Sequence, residues 1–219
     1  MDVNRLLSTL SAVCPIDGVG AITSTDLAAG NVRIDYAPGA SAPQIAAADA
    51  ALAAFDWSPA ADAAFAQQQA TKVIGSTLGA RLGADLLTTS ASFVDVPALS
   101  FLLAPNTHYR FRFLGAYTTA AAATGIQLSV NGPASPAFVR FLGQIMTSAA
   151  VPLAGAGGAY DVAIAATAGP GATAMPFWVE GTISTGAAGG AFTLRVRSET
   201  AGQAVTVLRG SIAECAAVA

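Results

Sequence analysis

The sequence predicts a mainly β protein: an antiparallel β-sandwich, jelly-roll-like, that carries a small N-terminal α/β arm. Over residues 84–213, apolar and polar residues alternate with a period of two, which is typical of strands with one buried face. Clusters of Gly, Pro and Asn interrupt this alternation about every 8–12 residues, the spacing of turns in sandwiches and barrels. No helical crossover separates the segments, so we expect two packed antiparallel sheets.

The N-terminal arm, residues 1–75, has a different pattern. Apolar residues at helical spacing predict a helix over residues 3–13, and alternation predicts a strand over residues 31–37. Pro43 and Pro59 each suit the first turn of a helix, where a backbone N–H has no helical partner. Because this segment is alanine-rich and too small to fold well alone, we interpret it as a docking or anchoring arm.

The sandwich region contains about ten short predicted strands. They cover residues 84–89, 92–96, 99–103, 108–117, 125–131, 137–146, 159–166, 177–185, 191–198 and 204–213. One phase of each alternation should be buried between the sheets. Its members are Phe111, Phe113, Ile126, Leu128, Val130, Val179, Ile183, Phe192, Leu194 and Val196. Residues 214–219 follow as a weakly polar C-terminal tail.

Charge is scarce in this chain. Charged residues make up 11% of the 219 residues and the net charge is −3, against a typical charged share of about 25%. Such a composition gives no electrostatic footprint for nucleic acid or for an anionic membrane. Isolated monomers usually carry more charge, so we expect other subunits to cover much of the surface.

The apolar content does not predict membrane spans. The hydrophobic fraction is 53% and the mean hydropathy is +0.56, but Gly, Pro and Asn break every long uncharged stretch. The N-terminus lacks the basic region, apolar run and cleavage site of a signal peptide. These features predict a soluble protein that folds in a reducing cytoplasm.

No group of residues has the pattern of a catalytic or metal site, so we expect neither an enzyme nor a cofactor. His108 is the only histidine, and it stands at the start of a predicted strand, where an exposed histidine is ordinary. No nucleophile-elbow, P-loop, zinc-protease or EF-hand motif is present. Cys14 and Cys215 have no metal-ligand spacing. They are either two reduced thiols or a disulfide that joins the chain ends.

Three short segments place polar or aromatic side chains on the outer faces of strands. Alternation in residues 177–183 turns Glu180 outward, where a solvated or ion-paired glutamate is more ordinary than a catalytic acid. Trp178 shares that face. The pairs Arg110/Arg112 and Arg195/Arg197 also point outward, so the interleaved aromatics are core residues rather than a nucleic-acid platform. Each pair has three interpretations: cross-strand ion pairing, a subunit contact or ligand binding.

Two groups of short motifs resemble proteins of tailed bacteriophages. Those in the N-terminal region are PIDG (15–18), RIDY (33–36) and ALAAFDW (51–57). Those in the sandwich region are NTHYRF (106–111), TGI (124–126), NGP (131–133), FWVEG (177–181) and VTVLRGS (205–211). The first group is similar to N-terminal regions of virion and tail-module proteins, and the second to a β-sandwich domain of phage particles.

The resemblance implies a place on a phage particle and no active site. Related domains are found on capsid exteriors, at necks and in tail fibres, and proteins of this kind often sit on threefold axes. We therefore expect a non-enzymatic structural component that decorates the capsid or forms a neck or tail accessory. It would fold in the host cytoplasm, attach through its N-terminal region to other phage proteins, and form a homo-oligomer, preferably a trimer. Candidate interface residues are Arg110, Arg112, Arg195, Arg197 and Glu180.

A second hypothesis is a carbohydrate-binding adhesin. In that case an exposed loop or groove of the sandwich would recognise a host surface glycan. Such sites use exposed aromatic side chains, and Trp178 is the candidate contact. The fold alone does not separate the two hypotheses.

Overall fold

Two separate hydrophobic clusters organise the chain in the computed structural model, which describes residues 3–20, 32–72 and 77–218. The chain divides into one compact unit over Met1–Gln67 and a second over Gln68–Ala219. Of the predicted segments, Asn31 of the arm strand and Ala219 of the tail lie outside the described residues.

The first unit combines helices with a two-stranded sheet. Its elements are α1 (Val3–Ser11), β1 (Ile16–Gly20), β2 (Arg33–Tyr36), α2 (Ala42–Ala53) and α3 (Pro59–Lys72). Strands β1 and β2 pair antiparallel. Helix α2 begins after Ser41, whose backbone N–H donates to the Gln44 side chain at 2.9 Å and so satisfies a donor at the helix start.

A small core holds this unit together. Its buried members are Leu6, Leu10, Cys14, Ile34, Ala48 and Phe55. Arg5 adds polar contacts around this cluster, because its Nε lies 2.8 Å from Asp62 Oδ1 and its guanidinium lies 4.1 Å from the centre of the Phe55 ring. The arm thus has apolar contacts of its own. Whether it folds alone stays a prediction.

The second unit is an antiparallel β-sandwich, which confirms the predicted mainly β fold class. Its strands are β3 (Thr77–Arg81), β4 (Leu86–Thr88), β5 (Val94–Leu103), β6 (His108–Thr119), β7 (Ile126–Asn131), β8 (Phe138–Ser148), β9 (Val151–Gly157), β10 (Ile164–Ala165), β11 (Met175–Ser184), β12 (Gly190–Ser198), β13 (Val205–Val207) and β14 (Ile212–Val218). The small sheet has the order β10-β7-β12-β5. The large sheet has the order β3-β14-β6-β11-β8-β9, and β13 joins it between β4 and β6.

The predicted core phase is confirmed. All ten residues expected between the sheets are buried, each with at most 3% of its surface exposed. Phe192 of the small sheet packs on Phe111 of the large sheet with ring centres 4.6 Å apart, and Phe113 lies beside both. Aromatic contacts across the two sheets therefore add to the apolar burial that drives the fold.

The segment expected to be a C-terminal tail is mostly a strand in the structure. Residues 214–218 of the expected weakly polar tail instead belong to β14, which lies between β3 and β6. The side chains of Ala213, Cys215 and Ala217 are buried in the core. The alternation was present in the sequence, but alanine is too weak a hydrophobe to mark it.

Two further strands were not predicted. Strand β3 lies before residue 84, and β9 includes glycines that resemble a turn. A Cβ at Gly157 would overlap the far end of the ring of Phe141, its partner on β8, so the ring covers this glycine. The expected strand over residues 159–166 is reduced to β10.

One predicted break between strands is a bulge. Residues 92–96 and 99–103 were expected as two strands, yet β5 runs through both and shifts register against β12 near Pro97. Proline has no N–H for the ladder, which is why it sits at such irregularities. The hydroxyl of Thr193, on the neighbouring strand β12, donates to the carbonyl oxygen of Val96 at 3.2 Å.

Candidate functional site

The outward side of the four central strands of the large sheet is the candidate site, and we call it the outer face. Because Phe111, Phe113 and Val179 are buried, the residues that alternate with them must point away from the core. Members of the outer face are Ile212, Glu214 and Ala216 on β14, Arg110, Arg112 and Leu114 on β6, Trp178, Glu180 and Thr182 on β11, and Arg140, Leu142 and Gln144 on β8.

A charged row crosses the middle of the outer face. Strand register places Glu214, Arg112 and Glu180 side by side on β14, β6 and β11. The Nε of Arg112 lies 3.6 Å from a carboxylate oxygen of Glu180, and the two side chains are 49% and 45% exposed. Water screens such a pair, so it contributes only about 0–1 kcal/mol to stability. The outward, ion-paired state expected for Glu180 is what the structure shows.

Two more arginines lie on the neighbouring row. Register places Thr182 between Arg110 and Arg140, and both arginine side chains are exposed. The guanidinium of Arg140 lies 5.5 Å from the centre of the Phe138 ring. The middle of the outer face therefore presents three guanidinium groups and two carboxylates within four strands.

A depression of about 410 Å³ opens between β14, β6 and β11. Its lining is Thr77, Arg110, Phe111, Arg112, Glu180, Gly181, Thr182, Glu214, Cys215 and Ala216. The small side chain of Ala216 leaves room beside the longer side chains of Arg110 and Glu214. Burial raises the pKa of Cys215 to about 12, so its thiol stays protonated and unreactive near neutral pH.

Large apolar side chains surround the charged row. Leu142 lies beside Glu180 in the register and is 52% exposed, and Ile212 lies on the outer face one row away. Phe138 and Val218 are also partly exposed at the same end of the sheet as His108. Exposed apolar side chains grouped with charges in this way are typical of protein interaction surfaces.

The structure places Trp178 on the outer face but half-buried. Its register neighbours are Leu114 on β6 and Gln144 on β8. It lies one row beyond Glu180, next to the lining of the depression rather than within it. Its outward orientation agrees with the prediction, while its role as a glycan contact stays a prediction.

Arg195 and Arg197 lie on the small sheet and are held by their own chain. Arg195 contacts Asp95 at 2.8 Å and Asp161 at 2.6 Å, and only 19% of its side chain is exposed. Arg197 donates to Gln127 at 2.7 Å. These contacts match the cross-strand interpretation, while the candidate role of both arginines at a subunit interface stays a prediction.

The other predicted chemistry-bearing residues lie apart. His108 is exposed at the start of β6, with its ring centre 5.8 Å from that of Phe138. Cys14 and Cys215 are free and buried, one in each hydrophobic cluster. Among the residues described, no group of three or more His, Cys, Asp or Glu side chains could hold a metal ion. Within the same residues, no helix is long and apolar enough to cross a membrane.

Sequence reasoning found only part of the outer face. It identified Arg110, Arg112, Glu180 and Trp178 but missed Glu214, because residues 214–219 were interpreted as a tail. It also missed Leu142 and Arg140, because their strand was predicted but its pairing with β11 was not. Pairing between distant strands brings these residues together, and alternation within one strand does not reveal that pairing.

Comparisons with known proteins identify no family. No protein-family model and no curated protein sequence matches the chain. Among solved structures, Eiger TNF from S. frugiperda has a TM-score of 0.37 and 12% identity, over 65% of this chain and 93% of that one.

Two viral structures are also weakly similar. A structure of the infectious bursal disease virus Gx strain has a TM-score of 0.23 and 8% identity, over 65% of this chain and 39% of that one. The enzymatically active domain of tailspike protein 4 of bacteriophage CBA120 has a TM-score of 0.17 and 9% identity, over 65% of this chain and 21% of that one. All three TM-scores lie below 0.5, so these likenesses carry no conclusion about function.

Proposed function

We propose that this chain is a non-enzymatic structural component of a tailed-bacteriophage particle, which decorates the capsid or forms a neck or tail accessory. The N-terminal region attaches it, and the sandwich is the body that projects from or cements the particle. The phage origin rests on the motifs of the sequence, from PIDG (15–18) to VTVLRGS (205–211).

The observation that supports the proposal best is the pair of separate hydrophobic clusters. The arm cluster around Leu6 and Phe55 contains no sandwich residue, and the sandwich cluster around Phe111 and Phe192 contains no arm residue. A chain built in this way can devote one unit to attachment and the other to a surface role. The outer face, with its exposed Leu142, supports a body that contacts other proteins.

Deletion of the arm tests the division of labour. Particles assembled without this chain are mixed with the purified full chain or with residues 77–219, and the pelleted particles are analysed after centrifugation. The full chain should pellet with the particles. The fragment should retain the circular dichroism spectrum of a β protein and stay in the supernatant, since it lacks the attaching unit.

The control for that experiment is particles that already contain the chain, to which neither form should bind if the sites are saturated. A folded fragment that pellets as well as the full chain would overturn attachment through the arm. A fragment that cannot fold would show that the sandwich depends on the arm, which also contradicts the proposal.

Assembly with copies of itself is part of the proposed function. The low charge of the chain and the exposed apolar side chains of the outer face favour a homo-oligomer. The resemblance to phage decoration and fibre proteins favours three copies. The adhesin hypothesis remains second, because Trp178 points outward but is half-buried.

A further inference from the structure

We propose that the outer face of the large sheet binds a second copy of this chain, with Leu142 and Arg112 in the contact. The inference rests on the proposed function, in which copies of the chain assemble with one another, and it names the surface that they use. It also separates the two arginine pairs, since it assigns Arg110 and Arg112 to the contact and excludes Arg195 and Arg197.

The contrast between the two sheet faces is the first argument. On the small sheet, Arg195 is enclosed by Asp95 and Asp161 of the same chain, which leaves its charge satisfied. On the outer face, the exposed Arg112 has one long contact of 3.6 Å to Glu180. Within the described part of the chain, Arg110 has no ion pair or hydrogen bond to a side chain. Guanidinium groups in this state have donors available for carboxylates of a partner.

The balance of charge is the second argument. The centre of the outer face carries Arg110, Arg112 and Arg140 together with Glu180 and Glu214, so both signs lie within a few ångströms of one another. A polyanion such as nucleic acid would be attracted by the arginines but repelled by the two carboxylates. A second copy offers carboxylates and guanidinium groups in the same proportions, so each sign can find its opposite.

The apolar side chains are the third argument. Leu142 is 52% exposed in the middle of strand β8 rather than at a loop tip. Ile212 is 36% exposed on β14, at the opposite side of the outer face and one row from the charged row. A subunit contact would remove both side chains from water, with the charged row between them.

The size of the face fits a stable contact. The four strands of the outer face, about 4.8 Å apart and 7–12 residues long at about 3.3 Å per residue, offer roughly 600 Å², and β3 and β9 raise this to roughly 800 Å². Specific interfaces bury about 800 Å² on each partner. The outer face can therefore hold two copies together. Because the same face serves both copies, this contact is complete with two chains, and a trimer would need a further contact elsewhere.

Sedimentation of the full chain and of single variants tests the proposal. The wild-type chain should sediment at a multiple of 21.7 kDa at micromolar concentration. Leu142→Lys should raise the dissociation constant at least about tenfold, because it replaces an apolar contact with an unpaired charge at the subunit contact. Arg112→Glu should weaken assembly by a similar factor of about ten, and more at low salt than at high salt, because like charges then face each other.

Matched controls isolate the outer face. Val162→Lys also replaces an apolar side chain with lysine, at a residue that is 39% exposed beside the small sheet. Arg33→Glu makes the same charge reversal as Arg112→Glu, at an exposed arginine of the arm. Both should assemble as the wild-type chain does. Circular dichroism shows whether each variant is folded, and both outer-face positions are exposed enough to accept the change.

Three results would overturn the inference. They are a wild-type chain that sediments at 21.7 kDa, an oligomer that Leu142→Lys and Arg112→Glu leave intact, and controls that dissociate as readily as the outer-face variants. Binding to particles is measured separately. An oligomer that depends on Leu142 but never binds a particle would therefore contradict the proposed function and leave this surface assignment standing.

Discussion

At the scale of single residues, Phe111 shows how alternation predicts burial. Its neighbours Arg110 and Arg112 point outward, while Phe111 lies 3% exposed between the sheets with its ring 4.6 Å from Phe192. Alternation alone determined which side of β6 would be buried, because a large aromatic ring and a guanidinium have opposite preferences for water. This part of the fold could be predicted without knowing which strand lies opposite.

Phe111→Ala should lower the free energy of unfolding by about 3–5 kcal/mol, since it removes a buried ring and leaves a cavity between the sheets. Urea denaturation of the two chains gives this difference. Leu87→Ala is the control, and because that side chain is 63% exposed and lies outside the outer face, we expect a change within about 0.5 kcal/mol. Equal effects at the two positions would mean that the sheet faces are assigned the wrong way round.

The arginine pairs mark the limit of residue-level prediction. Arg110/Arg112 and Arg195/Arg197 look alike in the sequence, each alternating with apolar residues. Their difference comes from Asp161, which lies 34 positions before Arg195 and contacts it at 2.6 Å. Such a partner is supplied by a loop whose position depends on the whole fold, so no pattern near the arginines reveals it.

At the scale of strands, pattern strength decided what could be predicted. Strands β6, β11 and β12 carry large apolar residues and were located within two residues at each end. Four of the seven residues of β9 are Ala or Gly, and three of the seven of β14 are Ala, which bury little area and so give a weak alternation. Both strands pair along their length with large-sheet neighbours, β9 with β8 and β14 with β3 and β6, which the local pattern does not reveal.

Removal of residues 214–219 should unfold the sandwich or lower its melting temperature by several degrees. Strand β14 lies between β3 and β6, so the truncation breaks hydrogen-bonded pairing on both sides and removes Cys215 and Ala217 from the core. Thermal unfolding followed by circular dichroism measures the change. A chain that lacks only Ala219 serves as control, and a truncated protein as stable as the control would restore the interpretation of this segment as a tail.

At the scale of the whole molecule, the chain combines a separately packed arm with a sandwich whose large sheet presents the outer face. The sequence indicated both parts through a change in periodicity, and the two hydrophobic clusters give that change a physical basis. The outer face could not be predicted as a unit, because it combines residues of four strands that are far apart in the chain. Its exposed apolar and charged side chains are the reason to expect that this chain works as part of a larger assembly.

Electron cryomicroscopy of the intact phage particle tests the central claim most directly. The density of particles that contain the chain is compared with that of particles assembled without it. We expect difference density at symmetry-related positions on the capsid, neck or tail, made of copies of about the size of one 21.7 kDa chain, with the sandwiches in contact through their large sheets. Identical densities, together with no trace of the chain in the purified particles, would contradict a structural role.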